Sequence, residues 1–324
     1  MNVLITSASR KVWLVQAFRR AAALEGGGLV VAADASPYAP ALHAADRACR
    51  VPWGLGERFF NAVLDIARDH EIGLIVPTRD EELPAFARQR AMFEAAGVRV
   101  MTADEEPIRI CQDKGAFAEY CLAHGFHVPR VLQAPFEAVR FPVFVRPRVG
   151  KGSRSAFRVS SMEELRFLLR WLPDPIVQEH ISADEYTVDV FVEPGGRVVS
   201  AVPRLRMAVF GGESFVGKTV RHAEVMQETI RLVESLGLVG FVTVQCFWDE
   251  GRVKFIEVNP RIGGGANLSI AAGADTPRMA WRAVAGKPVH PAVGQFKEGL
   301  VMLRHTEDLF LDEDELDAVF GRGR

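Results

Sequence analysis

Three polar side chains stand in an otherwise apolar pair of strands: Gln245, Glu257 and Asn259, within "FVTVQCFWDEGRVKFIEVNPRIGGG". Residues two apart on a strand share a face, so Glu257 and Asn259 point the same way. Gln245 joins them if it lies opposite Glu257. A three-residue loop with Asp249 opposite Val253 would give that register, whereas a two- or four-residue loop would send Gln245 to the other face. The same register puts Val244, Cys246, Ile256 and Val258 on a core-facing side. One carboxylate and two amide oxygens form a hard donor set that suits Mg²⁺, with Mn²⁺ as the alternative ion. With a single negative charge the protein alone would hold the ion weakly, so the ion would arrive with nucleotide phosphates. The competing reading of these three residues is the solvent-facing polar side of an antiparallel sheet. Arg261 follows at once, and Gly263 to Gly265 give backbone able to approach a ligand closely.

A second stretch offers different chemistry. Gly212 to Thr219, "GESFVGKT", fits G-x-x-x-x-G-K-[ST], the loop that cradles phosphates in one large nucleotide-hydrolase class. Such a loop needs a buried parallel strand before it and a helix starting at its Lys-Thr. Here the preceding run "VVSAVPRLRMAVF" is broken by Pro203 and carries Arg204 and Arg206, which suits an antiparallel or edge strand. Helical spacing (Met226, Ile230, Val233) begins only beyond His222. The match is read as coincidental.

The elements that must position these residues change character along the chain. In the first hundred residues short apolar strands ("NVLIT", "GLVVAADAS", "IGLIVPT") alternate with helices, one of them bearing Phe60, Val63, Leu64 and Ala67 on a single face. That pattern predicts a Rossmann-like α/β unit with a parallel sheet covered on both faces. The turn "SASRK" lacks the glycines of a dinucleotide site, so Asp34 is read as a turn acid and NAD is not expected. Beyond Thr102 the chain turns to helices and then to short strands joined by Gly, Pro and Asp, an α+β pattern with antiparallel pairing and a hairpin at "VEPGGRVV". The 324 residues divide into units at 1–102, 103–182 and 183–324. The net charge of −2 gives no electrostatic reason to expect nucleic acid or an anionic membrane. No apolar run approaches the ~20 residues of a membrane helix, and the N-terminus lacks the cationic start of a signal peptide. The four cysteines (Cys49, Cys111, Cys121, Cys246) have no metal-finger or C-x-x-C spacing, which suits a reduced, cytoplasmic protein.

"EVNPR", with a glutamine in the partner strand, resembles the ATP-grasp superfamily, and within it the branch of the carbamoyl phosphate synthase large subunit. "VLITSASRK", "VVAADASPYAPALHAAD" and "VPTRDEELPAFA" are similar to that branch's N-terminal (pre-ATP-grasp) domain, so the resemblance spans nearly the whole chain. It implies two α+β subdomains gripping ATP between them. Lys114 in "DKGAF" and Arg146 in "FPVFVRPRVGKGSRS" would hold the nucleotide's phosphates, and Gly150, Gly152 and Ser153 would form the loop that closes over them. Arg146 stands where the family commonly has lysine, and Lys151 departs from a smaller residue. In "VQEHISADEYTVDV" the segment at Gln178 would hold the adenine, the backbone of Glu179 and Ile181 reading the base edge and Glu185 accepting the ribose hydroxyls. Arg206 and Arg261 would face the transferring phosphoryl group and the acyl phosphate. His180 and His222 are read as structural.

The implied activity is ATP- and Mg²⁺-dependent ligation: a carboxylate becomes an acyl phosphate with release of ADP, and an amine or other nucleophile displaces phosphate. The expected partners are a small-molecule carboxylate and a nucleophile, with a homodimer as the assembly considered. Two other classes stay open, an ATPase without ligase activity (P-loop-like or other) and a non-catalytic nucleotide-binding regulatory module. Acceptor specificity is expected in "SASRK", "PTRDEE" and around "RIGGGANLS", where Asp80 and Glu81 could meet a substrate amine.

Overall fold

The first hundred residues supply five strands, β1 (Asn2–Thr6), β2 (Val30–Asp34), β3 (Arg47–Arg50), β4 (Ile72–Pro77) and β5 (Arg99–Val100). In the computed structural model, which describes residues 1–150 and 155–320 with the side chains of 317–320 left aside, they form one parallel sheet of order β3-β2-β1-β4-β5. Their side chains are apolar on both faces because both faces are covered. Val3 and Ile5 pack with Leu14, Val15 and Phe18 of the helix Val12–Leu24. Leu4 and Ile75 pack on the other side with Phe60, Val63, Leu64 and Ala67 of the helix Glu57–Asp69. Asp34 accepts from the backbone N–H groups of Ser9 and Ser36, both at 2.9 Å, and so acts as the turn acid expected of it.

The middle of the chain builds a small antiparallel sheet from β6 (Val131–Leu132), β7 (Val143–Pro147), β8 (Phe157–Val159) and β9 (Pro175–Glu179), in the order β6-β9-β7-β8. The rest builds a larger one from β10 (Asp184–Val192), β11 (Val198–Phe210), β12 (Glu213–Thr219), β13 (Gly240–Asp249), β14 (Arg252–Asn259) and β15 (Val301–Leu303), in the order β14-β13-β10-β11-β12-β15. One face of the larger sheet buries Val188, Val190, Val244, Val258 and Phe255 against the helices Glu105–Gln112, Lys114–Ala123 and Ala223–Ser235. Glu185, Arg206, Gln245, Glu257 and Asn259 lie on its other face. The terminal stretch is β15 followed by a helix, Glu313–Phe320. Among the described residues no helix is long and apolar enough to cross a membrane.

The first and last parts of the chain are joined by a charge cluster. The Glu25 side chain, only 3% exposed, receives Arg278 Nε at 2.7 Å, Arg282 Nη1 at 2.9 Å and Lys287 Nζ at 3.0 Å. These donors, Arg278 first, pull its pKa from 4.5 to about 2. A carboxylate depressed in the folded state contributes stability that is complete above its unfolded pKa and fades as pH falls through the folded one. Glu25→Gln is therefore expected to lower stability near neutral pH by about 1–3 kcal/mol. It should also flatten the loss of stability expected of the native protein between about pH 4.5 and pH 2. Chemical denaturation across that range measures both.

Candidate active site

Glycine and valine spacing alone would not reveal how the metal-type residues meet, because the hairpin that carries them uses an unexpected device. Asp249 pairs with Arg252 rather than with Val253, so the loop is the two residues Glu250 and Gly251, both with positive φ (49° and 73°), as in a type I′ turn. On its own that loop would throw Gln245 to the wrong face. A β-bulge restores it: Gln245 pairs with Glu257 while Cys246 pairs with Phe255, leaving Ile256 as the extra residue. The expected register is right at Gln245 and wrong at the turn. Its core assignment is corrected too. Phe255 takes the buried place next to Cys246, and Ile256, expected in the core, is half-buried at the bulge.

Gln245, Glu257 and Asn259 thus sit at paired or alternate positions on the sheet's polar face. Asn259 Nδ2 donates to Glu257 Oε1 at 3.0 Å, and Asn259 Oδ1 accepts from Arg261 Nη2 at 3.2 Å. The donor set fits a hard divalent ion, with oxygens from one carboxylate and two amides. Among the described residues no three His, Cys, Asp or Glu side chains cluster as a metal cage.

Two cations flank this hairpin in an unusual state. Lys114, at the start of the helix Lys114–Ala123, is 9% exposed, and Arg146 on β7 is 7% exposed. Lys114 Nζ donates to the Gly150 carbonyl at 2.8 Å; Arg146 donates to Gln178 Oε1 at 2.9 Å and to the Ile256 carbonyl at 3.1 Å. Among the described residues neither forms an ion pair. Burial lowers both pKa values; Arg146 lowers Lys114 further, while Glu257 raises both. Buried charges are ordinarily paired within the protein. Here two buried cations stand beside Glu257, with Asp113 and Asp80 also favouring the charged Lys114, and neither is ion-paired among the described residues, an arrangement that a polyanion would relieve.

The remaining sequence-assigned residues fall into place unevenly. The Gln178 side chain is buried and serves Arg146 and the Pro129 carbonyl. The Glu179 backbone N–H donates to the Arg130 carbonyl at 2.9 Å, so of its backbone groups only the carbonyl remains for a base edge. The Glu179 carboxylate meets Lys254 Nζ at 3.1 Å, and Ile181 follows β9 half-buried. Glu185 and Arg206, assigned to opposite ends of the nucleotide, pair with each other at 2.9 Å. Burial raises the Glu185 pKa and Arg206 opposes the shift. Arg206 also donates to Thr187 Oγ1 at 3.4 Å and to the Gly212 carbonyl at 3.1 Å. Gly152, Ser153 and Lys151 lie outside the described residues.

Arg261 is held by Asp80 through two bonds, Nε to Oδ1 at 2.7 Å and Nη2 to Oδ2 at 2.8 Å. Sequence reasoning missed this partner. Asp80 lies 181 positions away in a loop of the N-terminal sheet, and no local pattern signals such a contact. The reading of Asp80 as open to a substrate amine gives way to this ion pair. The glycines after Arg261 also have a different reason from the one expected. A Cβ on Gly263 would lie 2.6 Å from Thr243 Oγ1, and one on Gly265 would lie 2.7 Å from Arg204 Nη1, so the loop is pressed onto the sheet.

The phosphate-loop pattern at 212–219 is resolved by topology. Residues 213–219 are β12, hydrogen-bonded antiparallel to β11 and β15, and no helix starts at Lys218. Gly217 pairs with Arg206 and Lys218 with Leu205, so Lys218 projects from the face opposite Arg206.

Comparison with known proteins bears on the family and the fold. Residues 172–307 match the family model described as ATP-grasp in the biosynthetic pathway with Ter operon. Residues 3–101 match the PylC-like N-terminal domain. A carbamoyl phosphate synthase large chain of Gemmatimonas aurantiaca is 28% identical over 219 residues, 60% of this chain and 20% of that protein. The chain thus spans about a fifth of the length of such curated relatives. In fold, the chain is similar to the biotin carboxylase domain dimer of Hydrogenobacter thermophilus 2-oxoglutarate carboxylase, solved with MgADP, ADP and bicarbonate. The TM-score is 0.72 at 19% identity, over 93% of this chain and 73% of that one. An L-amino acid ligase from Bacillus licheniformis gives a TM-score of 0.69 at 19% identity, over 92% of this chain and 77% of that one.

Proposed function

Since the chain belongs to the ATP-grasp superfamily, in the branch of the carbamoyl phosphate synthase large chain, we propose that it is an ATP-dependent ligase that activates a carboxylate as an acyl phosphate. The observation that carries this reading is the pair of buried cations, Lys114 and Arg146, set without ion-pair partners among the described residues beside the Glu257 hairpin. The ATP triphosphate is the polyanion that suits them; the biotin carboxylase domain similar in fold was solved with MgADP. Lys114 and Arg146 hold the α- and β-phosphates, beside the Gly150 carbonyl that Lys114 reaches. The adenine lies along β9, against the Glu179 carbonyl and the Ile181 backbone, beside Gln178. Glu185 accepts the ribose hydroxyls once Arg206 turns toward the phosphates. Gln245, Glu257 and Asn259 would hold Mg²⁺, or Mn²⁺ in its place, and the bound ion would neutralise charge on the phosphate oxygens.

The reaction asks the chain chiefly for alignment and for positive charge where negative charge develops. A substrate carboxylate oxygen forms a bond to the γ-phosphorus while the bond to the bridging oxygen breaks, and ADP departs. The nucleophile then adds at the acyl carbon, loses its proton, and inorganic phosphate leaves. Arg261 and Arg206 stabilise the transferring phosphoryl group and then the acyl phosphate. To do so, Arg261 exchanges at least part of its contact with Asp80 and Asn259 for the ligand. A homodimer remains part of the proposal, by analogy with the dimer described for the biotin carboxylase domain.

The test is ADP release measured over a matrix of carboxylic acids and amines with MgATP. The expected result is release that depends on both members of one pair. Release indifferent to every acid and nucleophile would make the protein an ATPase, and binding of ATP without release would make it a regulatory module.

A further inference from the structure

The order β3-β2-β1-β4-β5 means that the chain leaves the central strand β1 toward one edge and later returns to its other side at β4. In parallel sheets of this kind, ligands bind in the crevice outside the carboxyl ends of the two strands where the direction reverses. Those ends are Thr6–Ser7 and Pro77–Thr78, and the groups gathered there are polar. Thr78 Oγ1 lies 3.0 Å from the Thr6 carbonyl and 2.8 Å from that of Ser7. The Glu82 carboxylate, 1% exposed, accepts from Thr6 Oγ1 at 3.1 Å and from the Ser7 hydroxyl. Ser7 and Ser9 both have positive φ (45° and 50°), a conformation that these Glu82 and Asp34 bonds hold in place.

The loop so fixed delivers Lys11. Its ammonium reaches Thr78 Oγ1 at 3.2 Å, and among the described residues it makes no other hydrogen bond and no ion pair. Two of its three donors are left for something else. The crevice adjoins the transfer site. Asp80, two residues beyond Thr78, holds Arg261, which in turn touches Asn259 of the metal-type set. Burial, and after it the Arg261 charge, push the Lys11 pKa down, against the opposing pull of the Glu82, Asp34 and Asp80 carboxylates. Each of these three is engaged by other donors of the protein.

We infer that the crevice at the carboxyl ends of β1 and β4 is the subsite of the second substrate, and that Lys11 receives an anionic group, a carboxylate or a phosphate, which that substrate carries. The inference rests on the ligase reading above and narrows it. The nucleophile is an amine or alcohol that also bears an acid group, and the acid group fixes its orientation toward Arg261.

With the nucleotide site filled by MgADP, calorimetric titration of the common amino acids and a set of phosphomonoesters, each beside its uncharged amide or parent alcohol, tests this. At least one acid or phosphate is expected to bind tenfold or more tightly than its neutral counterpart, and which arm responds identifies carboxylate or phosphate. Lys11→Met should erase that preference and Lys11→Arg should keep most of it, with MgADP affinity unchanged in both. No preference for any acid in the native protein, or a preference retained in Lys11→Met, overturns the assignment. If Lys11→Met does not fold, the native comparison of acid and neutral forms still decides. An acid that binds in a Lys11-dependent way without ever supporting ADP release would sink the ligase reading and leave the subsite. ADP release with a neutral nucleophile favoured would do the reverse.

Discussion

Glu257→Gln is expected to lower MgATP turnover by about 10²-fold or more, the equivalent of roughly 3 kcal/mol of lost charge stabilisation. The change is nearly isosteric. It leaves the β13–β14 register and the Asn259 contact in place, since a glutamine oxygen can still accept from Asn259 Nδ2. What it removes is the one carboxylate of the metal-type set. Lys114 and Arg146 also feel Glu257 as the carboxylate that favours their charged forms. Its loss therefore weakens both the ion and the phosphate cradle. ADP release at saturating Mg²⁺ and thermal unfolding of the same variant separate the two consequences. Near-native turnover would remove the metal assignment, and a collapsed fold would move Glu257 from chemistry to structure.

Lys114→Ala and Arg146→Ala are expected to weaken MgATP binding by about 10- to 10²-fold each, the span of one charge-assisted hydrogen bond. Lys218→Ala should change it less than about twofold, within the ordinary effect of a surface substitution. The contrast follows from topology. Lys218 projects from the far face of β12, whereas Lys114 and Arg146 are buried beside Glu257. Arg146 additionally ties β7 to Gln178 and to the bulge at Ile256, so Arg146→Lys is the control for loss of structure. Titration with a fluorescent ATP analogue ranks the variants. If Lys218 proved the most damaging, the phosphate-loop pattern would be functional after all.

Much of this was legible because short-range rules suffice for it. Continuous apolar strands between amphipathic helices announced the covered parallel sheet, and Pro203 with its flanking arginines announced that 212–219 could not be a phosphate loop. The meeting of Gln245 with Glu257 was also legible, since only one register keeps Val244, Cys246 and Val258 in the core. The route to it was not. "DEGR" accommodates both a two- and a three-residue loop, and the bulge that compensates leaves no mark in "KFIEVN". Contacts that span the chain were beyond reach for a different reason. Asp80 with Arg261 and Glu25 with three basic residues each depend on how separately built parts of the chain come to rest, whereas Glu185 with Arg206 is a cross-strand pair of adjacent strands, β10 and β11. An acid at a loop looks the same in sequence whether it meets water, a substrate or an arginine.

The Glu25 cluster has a neighbour in the core. Phe18 and Val3 of the first unit share one apolar cluster with Phe191, Phe241 and Trp281. The Phe18 and Phe241 rings meet edge-on, with centroids 6.3 Å apart. For recombination between relatives, this makes position 102 a poor crossover. A chimera that exchanges only 1–102 would set a foreign helix against Trp281 and strip Glu25 of its basic partners. A transplant that takes residues 276–284 and Lys287 along with 1–102 keeps Trp281 and the basic partners of Glu25 with the first unit, and leaves only Phe191 and Phe241 of this cluster to be matched.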